Sequence, residues 1–164
     1  MGVNTNILFI FCTRTCFKYK DTNFLMKKLL GILVLSLLFG GSASADEKQT
    51  YVLNNLQEDF TTCYSYYKIA GEGISRGREL DQEAIDGLNR SADIALESAF
   101  LIGQQLNMKT EAMSARVKMS FQTMQEEMGS DFINFSIILD KYAYYCKEVI
   151  EKPEMRMQFW ENKF

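Results

Sequence analysis

Leu53-Asn54-Asn55-Leu56-Gln57-Glu58-Asp59-Phe60-Thr61-Thr62-Cys63-Tyr64-Ser65-Tyr66-Tyr67 is the stretch on which the fold turns. Leu53, Leu56, Phe60, Cys63 and Tyr67 recur at alternating steps of three and four residues, and Ala70 and Ile74 continue the series. That spacing puts them on one stripe of an α-helix. A half-buried strand needs apolar residues at every second position, and this stretch does not have them. Gly71, Gly73 and Gly77 loosen the end of the helix, with Gly77 as its expected stop.

Three further stripes lie downstream. Asp81 is the expected N-cap of a second helix, with Glu83 favourable in its first turn. There Ile85, Leu88, Ala92, Ala95, Ala99, Ile102 and Leu106 repeat the stepping. The three alanines allow a neighbouring helix to approach closely, and Leu96 and Phe100 are expected to supply bulk beside them. Thr110 is the expected cap of a third helix whose Met113, Val117, Phe121, Met124 and Met128 share a face. Gly129-Ser130-Asp131 reads as stop, turn and cap. A fourth helix uses Phe135, Ile138, Leu139, Tyr142, Tyr145, Cys146 and Val149, and Pro153 ends it or bends the chain beyond it. No hairpin turn competes. The expected fold class is all-α, a small up-down four-helix bundle with short connections. Seams of this kind also suit coiled-coil oligomers, but the intervening glycines favour a compact bundle.

Upstream lies a different kind of segment. Met26-Lys27-Lys28 precedes the 11-residue apolar run Leu29–Phe39, and Ala43-Ser44-Ala45-Asp46 comes after it. A positive start, a short apolar core and a small-x-small site make a Sec-type signal, with cleavage defined by Ala43, Ala45 and Asp46. A membrane span needs about 20 apolar residues, so no stable membrane anchor is expected after cleavage. Residues 26–45 are read as the signal and 46–164 as the helical domain. Residues 1–25 are read as a disordered gene-start artefact or a long n-region, with Met1 and Met26 as the competing starts. No cysteine comes directly after the cleavage site, which argues against a lipidated form. The expected destination is the periplasm or the medium, in a Gram-negative type of envelope.

Cleavage changes the composition. Residues 46–164 number 119 and carry 20 acidic and 13 basic side chains, a net charge of −7. Acidity without a basic cluster argues against nucleic acid as a partner. The chain has no histidine, which excludes Ser-His-Asp and Cys-His nucleophile pairs and His-ligated zinc or haem. No catalytic residue, cofactor or metal ligand set emerges, and the expectation is a protein that is not an enzyme. Of four cysteines only Cys63 and Cys146 lie in the expected domain, Cys12 and Cys16 lying upstream. In an oxidising compartment two such cysteines are expected to pair. The alternative, a redox site, lacks a Cys-x-x-Cys motif and histidines flanking either thiol.

Cys63-Tyr64-Ser65-Tyr66-Tyr67 and Tyr142-Ala143-Tyr144-Tyr145-Cys146 form a near-mirror pair. Tyr64, Tyr66, Tyr67, Tyr142, Tyr144 and Tyr145 would surround a Cys63–Cys146 bridge. One reading is an aromatic layer that shields the disulfide. The other is a groove for a peptide, a glycan or a small hydrophobe, since a phenol can bury its ring and keep its hydroxyl wet. With the alanine-rich second helix and the signal, this pattern resembles small exported, disulfide-bonded all-helical proteins of Gram-negative bacteria. The resemblance covers residues 50–150 and implies export, helix content and the disulfide; it implies no catalytic residue.

Two other features carry weaker readings. Met113, Met124 and Met128, with Met155-Arg156-Met157, offer soft sulfur for Cu(I), but a methionine stripe is more commonly core filler. Phe159, Trp160 and Phe164 in the tail either pack over an open end of the bundle or bind a partner. Glu126-Glu127 and the acidic run 81–86 lack calcium-loop spacing and read as solvated faces. The sequence thus leads to an exported, non-enzymatic interaction or stress-related module whose partner is a component of the cell envelope. The alternative is a binding protein for a small apolar or aromatic ligand near the tyrosines.

Overall fold

A computed structural model describes residues 43–76, 81–129 and 132–164. The apolar run Leu29–Phe39, Cys12, Cys16, Gly77 and residues 130–131 lie outside the described residues. Five helices and no strand are found among those described: α1 (Ala43–Ser75), α2 (Gln82–Gln105), α3 (Thr110–Met128), α4 (Phe135–Glu151) and α5 (Pro153–Glu161). No described helix is long and apolar enough to cross a membrane.

Each of the other four helices packs against α1. Lys68, seven residues before the end of α1, donates to Asn89, seven residues after the start of α2, so α2 runs back along α1. Arg116 of α3 reaches Gln57, and Phe121, one turn and a half later, meets Tyr64, so α3 runs parallel to α1. Contacts of α4 run the other way, from Phe135 at Gly73 to Tyr145 at Asp59. The middle of the central helix is consequently buried around most of its circumference. Leu56, Phe60, Cys63, Tyr67 and Ala70 of the expected stripe are buried, and so are Val52, Tyr66 and Ile69 beside it. Gln57, Asp59, Thr61 and Ser65 are buried with them.

Buried polar side chains need partners. Thr61 and Ser65 turn their hydroxyls back onto the carbonyl oxygens of Gln57 and Thr61, at 2.8 and 3.2 Å. Gln57 and Asn54 accept from the two Nη atoms of Arg116 at 2.7 and 2.8 Å, which fixes α3 onto α1. Among the described residues no buried side-chain nitrogen or oxygen lacks a hydrogen bond.

The helix ends obey local chemistry. Asp81 caps α2 by accepting from the Ala84 N–H at 2.9 Å. After α2, Asn107 takes a left-handed backbone (φ 54°), while the N–H groups of Met108 and Asn107 return to the carbonyls of Gly103 and Gln104. These paired bonds satisfy carbonyls that a helix end leaves open. Gly129 (φ 79°) stops α3 as expected. Two caps differ from expectation. Thr110 is the first residue of α3 rather than its cap, with Lys109 before it. Asn134, not Asp131, precedes α4. Pro153 ends α4 by opening α5 at its first turn, where a missing N–H costs nothing.

Ala92, Ala95, Ala99 and Ile102 of α2 are buried, as are Met113, Met124 and Met128 of α3 and Ile138, Tyr142, Cys146 and Val149 of α4. Leu96 and Phe100 are not the bulk expected beside the alanines. They lie 39% and 43% exposed, because the small residues bring α2 so close to α1 that its longer side chains are left at the flank. Cys63 and Cys146 are both fully buried and form a disulfide between α1 and α4, with Cα atoms 5.1 Å apart. Helix α1 starts within the expected cleavage sequence, residues 46–50 are exposed, and from residue 46 onward Val52 is the first buried side chain.

The disulfide closes a large loop, since the two cysteines are 83 residues apart. Replacing both by alanine is expected to lower unfolding stability by about 2–5 kcal/mol, read by urea denaturation. Gly73→Ala should also destabilise, by about 1–2 kcal/mol, because its methyl would meet the Phe135 ring. Gly103→Ala meets the flexible sulfur end of Met113 and should cost less.

Candidate functional site

The six tyrosines do not share one environment. Tyr66, Tyr67 and Tyr142 are buried, with Tyr66 5.1 Å from Tyr67 and 6.3 Å from Tyr142 between ring centroids. Tyr64 is half-buried and meets Phe121 edge-on at 5.7 Å. Tyr145 is half-buried and points its hydroxyl at Asp59. Tyr144 stands 71% exposed, donating to Glu148 one turn away. The separation comes from helix geometry, since neighbours in sequence stand about 100° apart around the axis. Burial pushes the Tyr66 phenol up to about 12, and it raises Tyr67 further, helped by the neighbouring Tyr66 and Glu151.

A second constellation, which the sequence reading missed, centres on Asp59. Its carboxylate is buried in the flank of α1 and accepts four hydrogen bonds from α4 and α5. Tyr145 donates from Oη at 2.5 Å and Trp160 from Nε1 at 2.6 Å. Arg156 donates from Nε at 2.6 Å and from Nη2 at 3.2 Å. A carboxylate has about four lone-pair sites, so this one is saturated. The guanidinium also lies against three rings, at 4.4 Å from Phe159, 4.8 Å from Trp160 and 5.0 Å from Tyr145. Burial opposes the Arg156 charge, but its bonds to Asp59 outweigh that and hold its pKa above the ordinary arginine value. Tyr145 is raised first by burial and then by the adjacent Asp59 charge, so it remains a donor.

This arrangement holds helices. Pro153 is the one buried residue of α5, so the helix has little apolar core of its own. Its attachment to α1 runs through Asp59 and through the edge contact of Trp160 with Tyr51, at 6.3 Å. Away from Asp59, Glu127 of α3 accepts from Lys141 at 2.6 Å and from Tyr142 at 3.3 Å, joining α3 to α4. That bond raises the Lys141 pKa, the Tyr142 hydroxyl adding to it.

The methionines considered for soft-metal binding are divided. Met113, Met124 and Met128 lie in the core, while Met155 is exposed and Met157 half-buried. Among the described residues no group of three or more His, Cys, Asp and Glu side chains is placed to hold a metal ion. A signal for Asp59 did exist: it is the lone charge between Glu58 and Lys68, in a stretch otherwise apolar, hydroxylic or aromatic. Comparison of the chain with protein-family models, with curated proteins and with solved structures finds no match.

Asp59→Asn keeps the shape but removes the charge that all four donors face. A loss of roughly 3 kcal/mol is expected, with Trp160 emission moving to the red as α5 loosens. Arg156→Met should cost at least as much, because it leaves the buried Asp59 carboxylate without its cation, with only Tyr145 and Trp160 donating to it. The buried phenols also set an alkaline limit. With Tyr66 at about 12 in the fold and near 10 when unfolded, the folded state holds its proton more tightly. Its contribution is full below about pH 10 and is lost as pH rises toward 12, up to about 2–3 kcal/mol from this group. Rapid pH-jump circular dichroism, with tyrosinate absorbance tracked in parallel, should show unfolding and ionisation together.

Proposed function

We propose that the chain is an exported, non-enzymatic interaction module of the cell envelope, an up-down four-helix bundle of α1–α4 closed by α5. The observation that carries export is the pairing of Cys63 with Cys146, both fully buried. A bridge of this kind persists in oxidising compartments and is rare in the cytosol of mesophiles. The apolar run Leu29–Phe39 and the small-residue site ending at Ala45 supply the matching address.

Interaction is favoured over ligand binding at the tyrosines because Tyr66, Tyr67 and Tyr142 spend their rings on one another. The histidine-free composition and the saturation of Asp59 support a role without chemistry. The full chain, expressed in a Gram-negative host, should appear in the envelope fraction with Cys63 and Cys146 resistant to alkylation. Recovery in the cytosol with two free thiols would refute export. A photo-crosslinker in place of Tyr144 should give a saturable adduct with an envelope component that the same group in place of Glu111 does not give.

A further inference from the structure

One part of the surface stands apart from the core and from the tyrosine cluster. Met155 and Phe159, one turn apart on the outer side of α5, are 55% and 40% exposed, and Phe164 just beyond the helix is 56% exposed. Ring contacts join the two phenylalanines into one patch: Phe159 meets Trp160 at 4.9 Å, and Tyr51 meets both Trp160 at 6.3 Å and Phe164 at 5.4 Å. The patch joins α5 to the early turns of the described α1. Small proteins rarely leave so many large apolar side chains together without a use.

Two observations identify what covers it. The first is charge. Arg156 is spent on Asp59, so beside the rings Glu154 and Glu161 face Lys163 alone, and the exposed start of α1 adds Asp46 and Glu47 against Lys48, which leaves this end with an acidic excess of two and no basic cluster. Such an end is repelled by an anionic surface, and its rings suit one without net charge. The second is position. Tyr51 lies eight residues into α1, about 12 Å of helix rise from Ala43. The apolar run Leu29–Phe39 ends four residues before Ala43 in the sequence. Before cleavage, therefore, the end of the molecule bearing the patch is the end tethered nearest the bilayer. Trp and Tyr rings are the side chains that settle at the boundary between lipid headgroups and hydrocarbon.

We propose that the aromatic end formed by Tyr51, Met155, Phe159, Trp160 and Phe164 docks onto a zwitterionic lipid surface of the envelope. The proposal deepens the envelope reading above and names the partner as lipid. Asp59 has a specific part in it: by holding Arg156 and the Trp160 N–H inward, it presents Phe159 and Phe164 to the outside. Apolar burial then supplies the attraction, and the modest size of the patch makes attachment reversible.

Trp160 is the chain's single tryptophan and lies inside the patch, so its emission reports docking without a label. The full chain, purified in the form the cell processes, is titrated with phosphatidylcholine/phosphatidylethanolamine vesicles, with brominated lipid as quencher. Trp160 emission should shift to the blue and be quenched. The double variant Phe159→Ser/Phe164→Ser should partition about tenfold less, with helix content and disulfide unchanged. Phe164→Ser alone, beyond the last helix, should give a smaller loss in the same direction and serves if the double variant is unstable. An absent vesicle response, or an equal one in the variants, overturns the proposal. So does a response confined to anionic vesicles and removed by high salt, which is charge attraction alone. A protein adduct from a crosslinker at Phe164, with no vesicle response, would overturn lipid docking while leaving the envelope reading standing. Cytosolic fractionation would do the reverse.

Discussion

Burial of α1 around most of its circumference is the constraint on which the other helices depend. A helix buried on one side can turn its polar residues to water, but α1 has Gln57, Asp59, Thr61 and Ser65 inside as well. Each must be satisfied within the protein, because an unpaired buried polar group costs about as much as several good contacts contribute. Thr61 and Ser65 solve this locally by bonding to their own helix. Gln57 and Asp59 cannot, and their needs select the outer helices. Arg116 must lie where Gln57 and Asn54 can receive it, which sets the placement of α3. Arg156, Tyr145 and Trp160 must converge on Asp59, which sets α4 and α5.

The disulfide and the Asp59 cluster divide the work on the α1–α4 side. Cys63 and Asp59 are four residues apart on α1, and Cys146 and Tyr145 are adjacent on α4. The covalent bond restrains the unfolded chain and fixes the two helices side by side, while the hydrogen bonds fix their rotation and extend the hold to α5. Buried ion pairs are costly to desolvate, so the value of this one lies more in specifying a single placement of α5 than in net stability. That placement leaves Phe159 facing outward on a helix with few buried side chains of its own, and Phe164 exposed just beyond it. A core-facing α5 would have hidden them, and the surface proposed for lipid would not exist.

Much of the architecture was legible in the residue pattern. The stripe of Leu56, Phe60, Cys63, Tyr67 and Ala70 is buried as its spacing predicts, and the alanines of α2 lie against the core. Asp81, Gly129 and Pro153 punctuate the chain where their backbone chemistry says they should. The caps at Thr110 and Asp131 were misplaced because several residues near a helix start can serve, and the choice depends on where the packing lets the helix begin. Leu96 and Phe100 were misplaced because a periodic pattern gives direction around a helix but not the distance to the neighbour.

Local sequence determined the helices, their approximate ends and their apolar faces, because these depend on residue spacing and on backbone preferences within a few positions. The pairing of Cys63 with Cys146 was also within its reach, by elimination within residues 46–164. Only the tertiary structure decided that Asp59 would be buried, that its four donors would come from residues 86 to 101 positions away, and that the tyrosines would separate. The physical reason is that hydrogen bonds and close packing act over a few ångströms between segments remote in sequence. No periodicity records which of two acidic neighbours, Glu58 or Asp59, will face another helix. On α1 it is Asp59, and that choice sets the position of α5 and of its exposed aromatic rings.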